Sequence, residues 1–416
     1  MTDVLVIGAG AAGCMAAIKA AEAGATVILI EKNTRIGRKI MLTGKGRCNM
    51  TNAKPWSQFA AHLHSKPAFF KPAFYNFSNS ATVDFFRSIG VETVVTRDDR
   101  VFPQTMSSAT VVDALADRLA HLGVKTFFGC TVGEVTRTPD GCFTTAFIEN
   151  NHNFFHPKMV SSKTVIVATG GLSYPTTGSD GAGYAIARSF GHTLQPTFPS
   201  LTALTPAGYD MRLQGATLIN VAASLFVGQD MVQYEFGELQ FTDGGIEGPI
   251  GFKLSRKAVW AMINGDKVSV AIDLKPAVPL DALADRIAKE AGQEKVTDAI
   301  FSRCYGRFLR RFMPQSIVEP FYVGCRPSLS GLASALKSWR FQIAGYVGYK
   351  RAVVTAGGVS LDEIVSKTMS SRNVPGLYFA GEVLDMDGDT GGYNLQFAFS
   401  TGVLAAESAA KYAAEH

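Results

Sequence analysis

The chain has 416 residues, 47% of them hydrophobic, so it can bury the cores of two or three domains. The net charge is only +5, and the densest cationic cluster, Arg307, Arg310 and Arg311, alternates with apolar residues as on a solvated helix face, which argues against nucleic acid as a partner. The six cysteines show neither C-x-x-C nor zinc spacing, so no metal is expected. No apolar run is long enough to cross a membrane, and the first strand begins too soon after Met1 to leave room for a signal peptide. We therefore expect a cytoplasmic protein.

A glycine-rich turn follows the first predicted strand. The apolar run Asp3–Ile7 leads into Gly8-Ala9-Gly10-Ala11-Ala12-Gly13, and an alanine-rich, helix-prone segment comes next. In this arrangement Gly8 permits the tight turn, Gly10 lets the backbone approach a pyrophosphate, and Gly13 lets the helix lie close to the strand. The free N–H groups of the helix start favour phosphate. The turn, with Ala11 and Ala12, therefore predicts a dinucleotide site.

An acid ends the next predicted strand. The run Thr26–Ile30 is apolar, and Glu31 follows it, 18 residues after Gly13. A carboxylate at this place accepts hydrogen bonds from ribose hydroxyls and repels a 2′-phosphate. The motif therefore favours FAD or NAD over NADP, and by itself it does not separate the first two.

The segment 32–55 is rich in cations and glycines. Such a loop, directly after the acid, can surround an anionic cofactor with guanidinium groups and backbone donors. The alternative is a flexible surface loop. The cations are Arg35, Arg38, Lys39, Lys45 and Arg47, and the glycines are Gly37, Gly44 and Gly46.

The remaining elements alternate between α/β and β-rich blocks. Helical periodicity covers 81–90 and 109–122, with a hairpin between them that turns at Asp98-Asp99, and a core strand ends at Thr169-Gly170-Gly171. The pattern is β-rich over 191–277, helical from 280 to a stop at Pro314, and extended over 341–354. The simplest topology is a dinucleotide-binding domain interrupted by an insertion.

A second acid near the C-terminus decides which dinucleotide is bound. A short strand leads into Gly381-Glu382, where a carboxylate can bind a polyol. Gly391 and Gly392 then open a helix of small residues, whose free N–H groups can face the O2 region of a flavin. Both chain ends can contact a cofactor as long as FAD, so FAD is favoured.

These segments together resemble the BaiN-like, YhiN-like family of FAD-dependent oxidoreductases, which includes aminoacetone oxidases and a proposed bile-acid 3-oxo-enoyl reductase. The resemblance spans nearly the whole chain. The most distinctive motifs are Arg47-Cys48-Asn49 with Thr51-Asn52, and Gly391-Gly392-Tyr393-Asn394-Leu395-Gln396. Further matching segments are Gly37–Lys39, Thr43–Asn52, Thr169–Gly171, Gly237–Thr242, Thr355–Val359 and Gly376–Gln396.

The resemblance implies an α/β fold with a glutathione-reductase-type, Rossmann-like FAD-binding domain, an inserted β-barrel-like domain and a helical domain. On the present sequence the FAD-binding domain would comprise 1–190 and 346–416. The β-rich substrate domain would comprise 191–279 and 325–345, and the helical domain 280–324.

The resemblance also implies roles for individual residues. The pyrophosphate would lie at Gly8, Gly10 and Gly13, and the adenosine ribose at Glu31. Glu382 would bind the ribityl chain. The remaining cofactor residues would be Lys32, Arg38 and Lys39 beside the adenosine, Val132 at the adenine edge, Gly46, Arg47, Cys48 and Asn49 near the flavin, and Asn394, Leu395 and Gln396 beside the isoalloxazine. Further cofactor-binding residues would be Thr43, Gly44, Thr169, Gly170, Gly171, Gly381 and Gly392.

Three positions keep alternative interpretations. Tyr393 is a candidate proton donor, or it packs against the ring. Cys48 is a reactive thiol beside Arg47, or a small packing residue. Glu247 stands where the family often has Ser, and it either faces the substrate or lies in a solvated turn.

The expected reaction is hydride transfer through flavin N5. The chain has no second G-x-G-x-x-G after a strand, so NADH or NADPH would bind transiently. The favoured function is reduction of an activated C=C in a small, steroid-like enone that binds between the cofactor domain and the insertion. The alternatives are an amine or aminoketone oxidase that releases peroxide, and an FAD-binding protein of tRNA modification or redox sensing. The oligomeric state stays open.

Overall fold

The computed structural model describes residues 1–150 and 158–416 and divides them into two units. The first unit combines Met1–Phe198 with Val353–His416, and the second is Pro199–Ala352. The second unit therefore interrupts the first in sequence.

The first unit is built around the N-terminal strand. Its strands are β1 (Thr2–Ile7), β2 (Val27–Ile30), β3 (Thr51–Asn52), β4 (Thr93–Val95), β5 (Arg100–Pro103), β6 (Lys125–Phe127), β7 (Cys130–Arg137), β8 (Phe143–Glu149), β9 (Lys158–Val167) and β10 (Leu194–Ser200), whose last two residues belong to the second unit. After the second unit come β17 (Val354–Val359), β18 (Ile364–Val365), β19 (Ser370–Ser371) and β20 (Leu377–Phe379). The helices are α1 (Ala11–Glu22), α2 (Trp56–Phe59), α3 (Pro67–Asn76), α4 (Asn79–Ser88), α5 (Ser108–His121), α6 (Ala182–Ser189) and α12 (Tyr393–Glu415).

The sheet at the centre of this unit is largely parallel. Strand β1 pairs with β2 on one side and with β9 on the other, and β9 pairs in turn with β20. Val4, Leu5 and Val6 have no exposed surface. A strand buried on both faces needs a continuous apolar run, which is why β1 and β2 lack polar alternation.

Helices α1 and α12 approach each other closely although they come from opposite ends of the chain. A Cβ atom built on Gly402 would lie 2.4 Å from the carbonyl oxygen of Ala12, so only glycine fits at this crossing. Helix α12 is 23 residues long and rich in alanine, which permits the short separation. None of the helices in the described ranges is long and apolar enough to cross a membrane.

The second unit contains a closed antiparallel barrel. Its strands are β11 (Leu204–Pro206), β12 (Thr217–Val227), β13 (Asp230–Thr242), β14 (Gly245–Glu247), β15 (Val268–Asp273) and β16 (Trp339–Tyr346), in the order β11-β14-β13-β12-β15-β16. Its helices are α7 (Gly248–Ile263), α8 (Leu280–Gln293), α9 (Asp298–Leu309), α10 (Gln315–Cys325) and α11 (Leu332–Lys337). The predicted β-barrel-like insertion is confirmed.

Two features of this block differ from the sequence-based prediction. The β-only interpretation of 191–277 is wrong over α7, which begins with Pro249 in its first turn and buries Ile250, Leu254 and Ala258 at helical spacing. The extended run predicted for 341–354 is interrupted, because a turn in which Arg351 N–H donates to Gly348 separates β16 from β17. The first error arose because the apolar residues of α7 also fit a strand pattern over short windows.

The predicted α4, α5 and hairpin are confirmed. Strands β4 and β5 pair antiparallel, and Asp98 and Asp99 between them both have positive φ. Asp tolerates this conformation better than most residues, which is the physical basis of the turn signal.

The α1–α12 crossing gives a direct test. Gly402→Ala should lower the free energy of unfolding by about 1–3 kcal/mol, because its Cβ would overlap the Ala12 backbone. The matched control is Gly292→Ala in α8, where an added Cβ meets no atom within 4 Å and should stabilise the helix by about 0.5–1 kcal/mol. Thermal and urea melts of the apoprotein measure both changes. Equal effects of the two substitutions would contradict the close approach of α12 to the backbone of α1.

Candidate cofactor-binding site

A long cleft in the first unit runs over the carboxyl ends of the parallel strands. Open α/β sheets bind ligands in this position. The residues predicted from sequence that line it are Gly8, Gly10, Ala11, Ala12, Glu31, Lys32, Arg38, Lys39, Thr43, Val132, Thr169, Gly170, Gly381, Glu382, Asn394 and Leu395. Segments from the start, the middle and the end of the chain therefore meet at one site.

The three glycines of the first turn have three different physical roles. Gly8 has a φ of +98°, and a Cβ there would lie 2.7 Å from the Ala168 carbonyl oxygen. A Cβ on Gly13 would lie 1.7 Å from the Gly8 carbonyl oxygen, so Gly13 sets the close packing of α1 on the turn. A Cβ on Gly10 meets no atom within 4 Å, and Gly10 lines the cleft. Gly10 thus leaves room for a ligand, whereas the other two leave room for the protein itself.

The start of α1 presents unused donors to this space. Gly10 is the N-cap and provides no side-chain cap, and the first helical hydrogen bond runs from Cys14 N–H to Gly10 O at 2.9 Å. Among the described residues no acceptor bonds the amides of Ala11, Ala12 or Gly13. Free amides and a positive dipole end form an anion site that suits a pyrophosphate.

Glu31 is buried and held in one orientation. Its Oε2 accepts from Ala9 N–H at 2.7 Å, and its Oε1 accepts from Asn33 N–H at 2.8 Å and from the Asn33 side-chain amide at 2.5 Å. Each carboxylate oxygen can accept more than one hydrogen bond, so ribose hydroxyls still find acceptors. Sequence analysis missed Asn33, which lines the cleft; an amide two residues after the acid was the available signal.

The three cations predicted beside the adenosine do not lie at one place in the structure. Lys32 pairs with Asp180, and the Arg38 guanidinium donates to the Asn33 side chain at 2.8 Å. Lys39 instead donates to Glu382 at 2.7 Å, and therefore belongs with the second acid. This corrects the placement of Lys39, whose contact bridges 343 positions of sequence.

Glu382 belongs to a network that fixes its carboxylate. Oε2 accepts from Lys39, while Oε1 accepts from the Ser173 hydroxyl at 2.5 Å and from Thr355 N–H at 2.9 Å. The Thr355 hydroxyl in turn accepts from Leu172 N–H and Ser173 N–H. Sequence analysis missed Ser173, because no local motif marks a serine that acts through a distant acid.

Hydrogen bonds join the two most distinctive motifs, the one around Arg47–Asn52 and the one that begins at Gly391. The Asn49 side-chain oxygen accepts from Gly392 N–H at 3.1 Å, and the Asn52 amide donates to Gly391 O at 3.2 Å. Gly392 has a φ of +99°, and a Cβ there would lie 2.4 Å from the Thr51 backbone. The first motif therefore fixes where α12 begins, and Asn49 and Gly392 support the cleft without lining it.

The free donors at α12 are the amides of Asn394 and Leu395, just after the predicted Gly391-Gly392. The amide of Gly392 is taken by Asn49, and the first helical bond runs from Gln396 N–H to Gly392 O at 3.1 Å. In the described part of the chain, the amides of Asn394 and Leu395 have no acceptor. Both residues line the cleft, so a second helix dipole faces it.

Tyr393 lies outside this cleft. The side chain is 3% exposed, and its ring packs against Phe59 at 4.8 Å and stacks on His62 at 4.4 Å between centroids. Burial raises the pKa of Tyr393. Both interpretations placed Tyr393 at the flavin ring, and the geometry supports neither, because the side chain packs on Phe59 and His62 outside the cleft.

Cys48, Arg47 and Gln396 also lie outside the cleft, as do Gly13, Gly44, Gly46 and Gly171. Burial raises the pKa of the Cys48 thiol to about 12, so it is a packing residue and not a reactive thiolate. The Arg47 guanidinium lies 5.2 Å from the centre of the Phe102 ring. Gln396 is fully buried and bonds Thr82 and Ser400, which corrects its placement beside the flavin.

Glu247 belongs to the second unit and forms an ion pair. Its Oε1 lies 3.2 Å from an Arg351 nitrogen, and the side chain is 14% exposed. The solvated-turn interpretation is therefore wrong, because the carboxylate is largely buried against a guanidinium.

The cleft fits FAD. It offers two fixed acids for hydroxyl groups, two free helix starts for negative charge, and the open space at Gly10. The buried hydroxyl of Thr169 has no hydrogen-bond partner among the described residues and lies in the cleft wall. A buried hydroxyl without a partner is costly, and a polar ligand removes that cost. The fold and the site define a dinucleotide-binding flavoprotein.

Comparisons with known proteins give the family. The family model described as "HI0933-like protein Rossmann domain" matches residues 2–408. A 3-dehydro-bile acid delta(4,6)-reductase of Clostridium scindens is 32% identical over 99% of this chain and 100% of the relative. A ribosomal RNA dihydrouridine synthase of Escherichia coli is 31% identical over 96% of each. The structure of a 3-ketosteroid delta1-dehydrogenase from Sterolibacterium denitrificans covers 100% of both chains with a TM-score of 0.54 at 11% identity, a likeness of fold alone.

The chain belongs to the HI0933-like family, which confirms the resemblance drawn from its motifs. It is an FAD-dependent oxidoreductase with a Rossmann-like fold. The roles of single residues in the cleft remain predictions.

A substitution at Gly10 should change the affinity for FAD without changing the stability of the apoprotein. Gly10→Val should weaken FAD binding at least about 100-fold, equivalent to about 2.7 kcal/mol, because the side chain would occupy ligand space. The apoprotein should melt as the wild type does, since no protein atom lies within 4 Å of the new Cβ. Titration of apoprotein with FAD checks the affinity. Gly345→Val in β16, which is also free of neighbours within 4 Å, should bind FAD normally; a Gly10→Val protein with wild-type affinity would contradict the assignment.

Proposed function

We propose that the enzyme reduces a carbon–carbon double bond that is conjugated to a carbonyl group. The observation that carries this proposal is that two full-length relatives at 31% and 32% identity are named for reactions of one chemical type. A 3-oxo steroid with a Δ4 bond is an enone, and the double bond reduced in dihydrouridine formation is conjugated to a uracil carbonyl. In each case the β-carbon accepts a hydride and the α-carbon accepts a proton.

The cleft supports this chemistry through electrostatics. When bound, FAD supplies the hydride from N5. The amides of Asn394 and Leu395, which have no acceptor among the described residues, would stabilise negative charge on the bound cofactor. Glu382 would hold the ribityl hydroxyls, with its carboxylate oriented by Lys39, Ser173 and Thr355. Glu31 would hold the adenosine ribose.

The electron donor in this proposal is NADH or NADPH, bound transiently. The sequence contains no second glycine turn that would hold a nicotinamide dinucleotide permanently. The donor and the enone would therefore use the site in succession: NAD(P)H would give a hydride to the bound cofactor and leave as NAD(P)⁺ before the enone enters.

Anaerobic mixing tests the proposal. The FAD-loaded enzyme should lose its visible flavin absorbance on addition of NADH or NADPH. It should recover that absorbance when a 4-en-3-one steroid or an unmodified ribosomal RNA transcript is added. Mass spectrometry should find two hydrogens added to the acceptor, and Gly10→Val protein without cofactor should show neither change.

Two outcomes would contradict the proposal. One is a flavin that is reduced by an amine or aminoketone and releases hydrogen peroxide in air, which defines an oxidase. The other is a flavin that NAD(P)H reduces but that no conjugated C=C substrate reoxidises faster than buffer alone.

A further inference from the structure

Two histidines and an aspartate of the first unit form a cluster beside the start of α12, outside the cofactor cleft. The Nδ1 atom of His62 lies 2.9 Å from Oδ2 of Asp389, and the Nε2 atom of His64 lies 3.3 Å from the other oxygen of the same carboxylate. Each histidine side chain is 26% exposed and the aspartate is 15% exposed, so solvent reaches the cluster. We call these three residues the His–Asp–His cluster.

Backbone pairing creates this cluster. An isolated antiparallel bridge joins the segment around Leu63 to the one that carries Asp389. Asp389 N–H donates to His62 O at 2.8 Å, and His64 N–H donates to the carbonyl oxygen of Asp387 at 2.8 Å. Side chains two residues apart in an extended segment point to one side. Both imidazoles therefore meet the carboxylate carried by the opposite segment.

The imidazole of His62 is fixed in one orientation. The Tyr393 ring stacks on it with 4.4 Å between centroids and an interplanar angle of 22°. Tyr393 is held in turn by the Phe59 ring, 4.8 Å away and nearly perpendicular. In the described ranges the His64 ring has no such ring contact. Tyr393 thus provides a surface that orients His62 in particular.

The carboxylate determines which nitrogen of His62 can exchange a proton. An ionised carboxylate accepts hydrogen bonds and donates none, so the hydrogen between the two groups belongs to Nδ1. Among the residues that the structure describes, none bonds the Nε2 atom of His62. An imidazole held by a carboxylate in this way is free to take up and release a proton at its other nitrogen.

The segment that carries Asp389 begins and ends in the wall of the cleft. Met386 and Asn394 both line the cleft. Between them, the Asn394 side chain accepts from Gly388 N–H at 2.8 Å and donates to Gly388 O at 2.8 Å. The cluster is therefore joined directly to the start of α12, where the amides of Asn394 and Leu395 have no acceptor within the described part of the chain.

Reduction of a conjugated C=C requires an acid, and the residues assigned to the cofactor do not supply one. Glu31 and Glu382 accept hydrogen bonds from the protein, and Lys39 is paired with Glu382. Burial raises the pKa of Tyr393, which opposes the loss of its proton. The exposed Nε2 edge of His62 is suited to the task, because imidazole exchanges protons near neutral pH.

We infer that His62 donates the proton that the carbon atom α to the carbonyl group accepts, and that Asp389 and Tyr393 are positioning residues that hold its ring. The inference rests on the proposed function, because that reaction requires the proton. The Nε2–H bond breaks as the new C–H bond forms, and the imidazolium is left as neutral imidazole. With the hydride that the β-carbon receives from the reduced cofactor, the substrate gains two hydrogens. Solvent then returns a proton to Nε2.

The inference fixes the sign of the pH dependence. Only the imidazolium form can give up the Nε2 proton while Asp389 retains the hydrogen on Nδ1. The rate of proton donation should therefore fall as the pH rises. The charged or titratable groups around the stacked rings are His64 and Asp389, Asp387 opposite His64 in the bridge, and Asp98, Asp99 and Arg100 of the β4–β5 hairpin.

Anaerobic single-turnover kinetics test the proton donor. FAD-loaded enzyme reduced with NADH or NADPH is mixed with cyclohexenone over a range of pH, and the return of flavin absorbance is followed. The wild-type rate should fall with rising pH. His62→Asn should be at least about 100-fold slower and should lose this pH dependence, because a positioned general acid contributes about 10²–10⁴-fold. Reduction of its flavin by NADH or NADPH should be unchanged.

Two matched variants separate the chemistry of His62 from a structural role of the cluster. His121→Asn changes an exposed histidine of α5 and should behave as the wild type. His64→Asn removes the other imidazole from the same carboxylate and should keep the wild-type pH dependence. Thermal melts and retained flavin absorbance establish that each variant folds.

A measurement on the apoprotein is independent of activity. Nitrogen NMR spectra of the seven histidine rings should show neutral His62 with its hydrogen on Nδ1, the signal being identified by its loss in His62→Asn. Asp389→Ala should remove this preference, because it removes the acceptor.

Three results would overturn the inference and leave the proposed function intact. They are a His62→Asn enzyme with the rate and pH dependence of the wild type, a His64→Asn enzyme with the same loss as His62→Asn, and a wild-type His62 whose hydrogen is on Nε2. A wild-type flavin that no conjugated C=C compound reoxidises would instead contradict the proposed function, and the proton donor would fall with it.

Discussion

The close packing of α1 against its own preceding turn is the constraint on which the site depends. Gly13 lies so near the Gly8 carbonyl that any side chain would overlap it, and Gly402 of α12 lies almost as close to Ala12. These contacts place α1 against both the sheet and the last helix. As a result, the free N-terminal amides of α1 and α12 open into one cleft. Two helix dipoles acting on one ligand provide electrostatic stabilisation without any charged side chain.

The two acids of the cleft show how the protein orients carboxylates that it partly removes from water. Burying a carboxylate is costly unless donors replace its hydration. Glu31 receives backbone and side-chain N–H donors from Ala9 and Asn33, and Glu382 receives Lys39, Ser173 and a backbone amide. These donors also remove rotational freedom from the acids, so the hydroxyl groups of the cofactor meet acceptors already in position.

Local motifs made the glycine turn and both acids predictable from the sequence. Their function depends on spacing within some twenty residues, and a strand followed by a helix converts such spacing directly into geometry. The correct family and barrel prediction came from the resemblance. Errors arose where a residue acts over a long separation: Lys39 reaches Glu382, and Gln396 turns away to bond Thr82 instead of lining the cleft. Helix α7 was missed because its apolar residues fit a strand pattern when considered in short windows. The role of Tyr393 depends on packing against Phe59 and His62, which no local signal indicates.

A crystal structure with FAD bound tests the central claim most directly. The account predicts the pyrophosphate within hydrogen-bond distance of the Ala11 and Ala12 amides, with the pyrimidine edge of the flavin on the amides of Asn394 and Leu395. It also predicts the ribose on Glu31 and the ribityl chain on Glu382. A cofactor whose ring lies away from the start of α12, with the Asn394 and Leu395 amides bonded only to water, would contradict it.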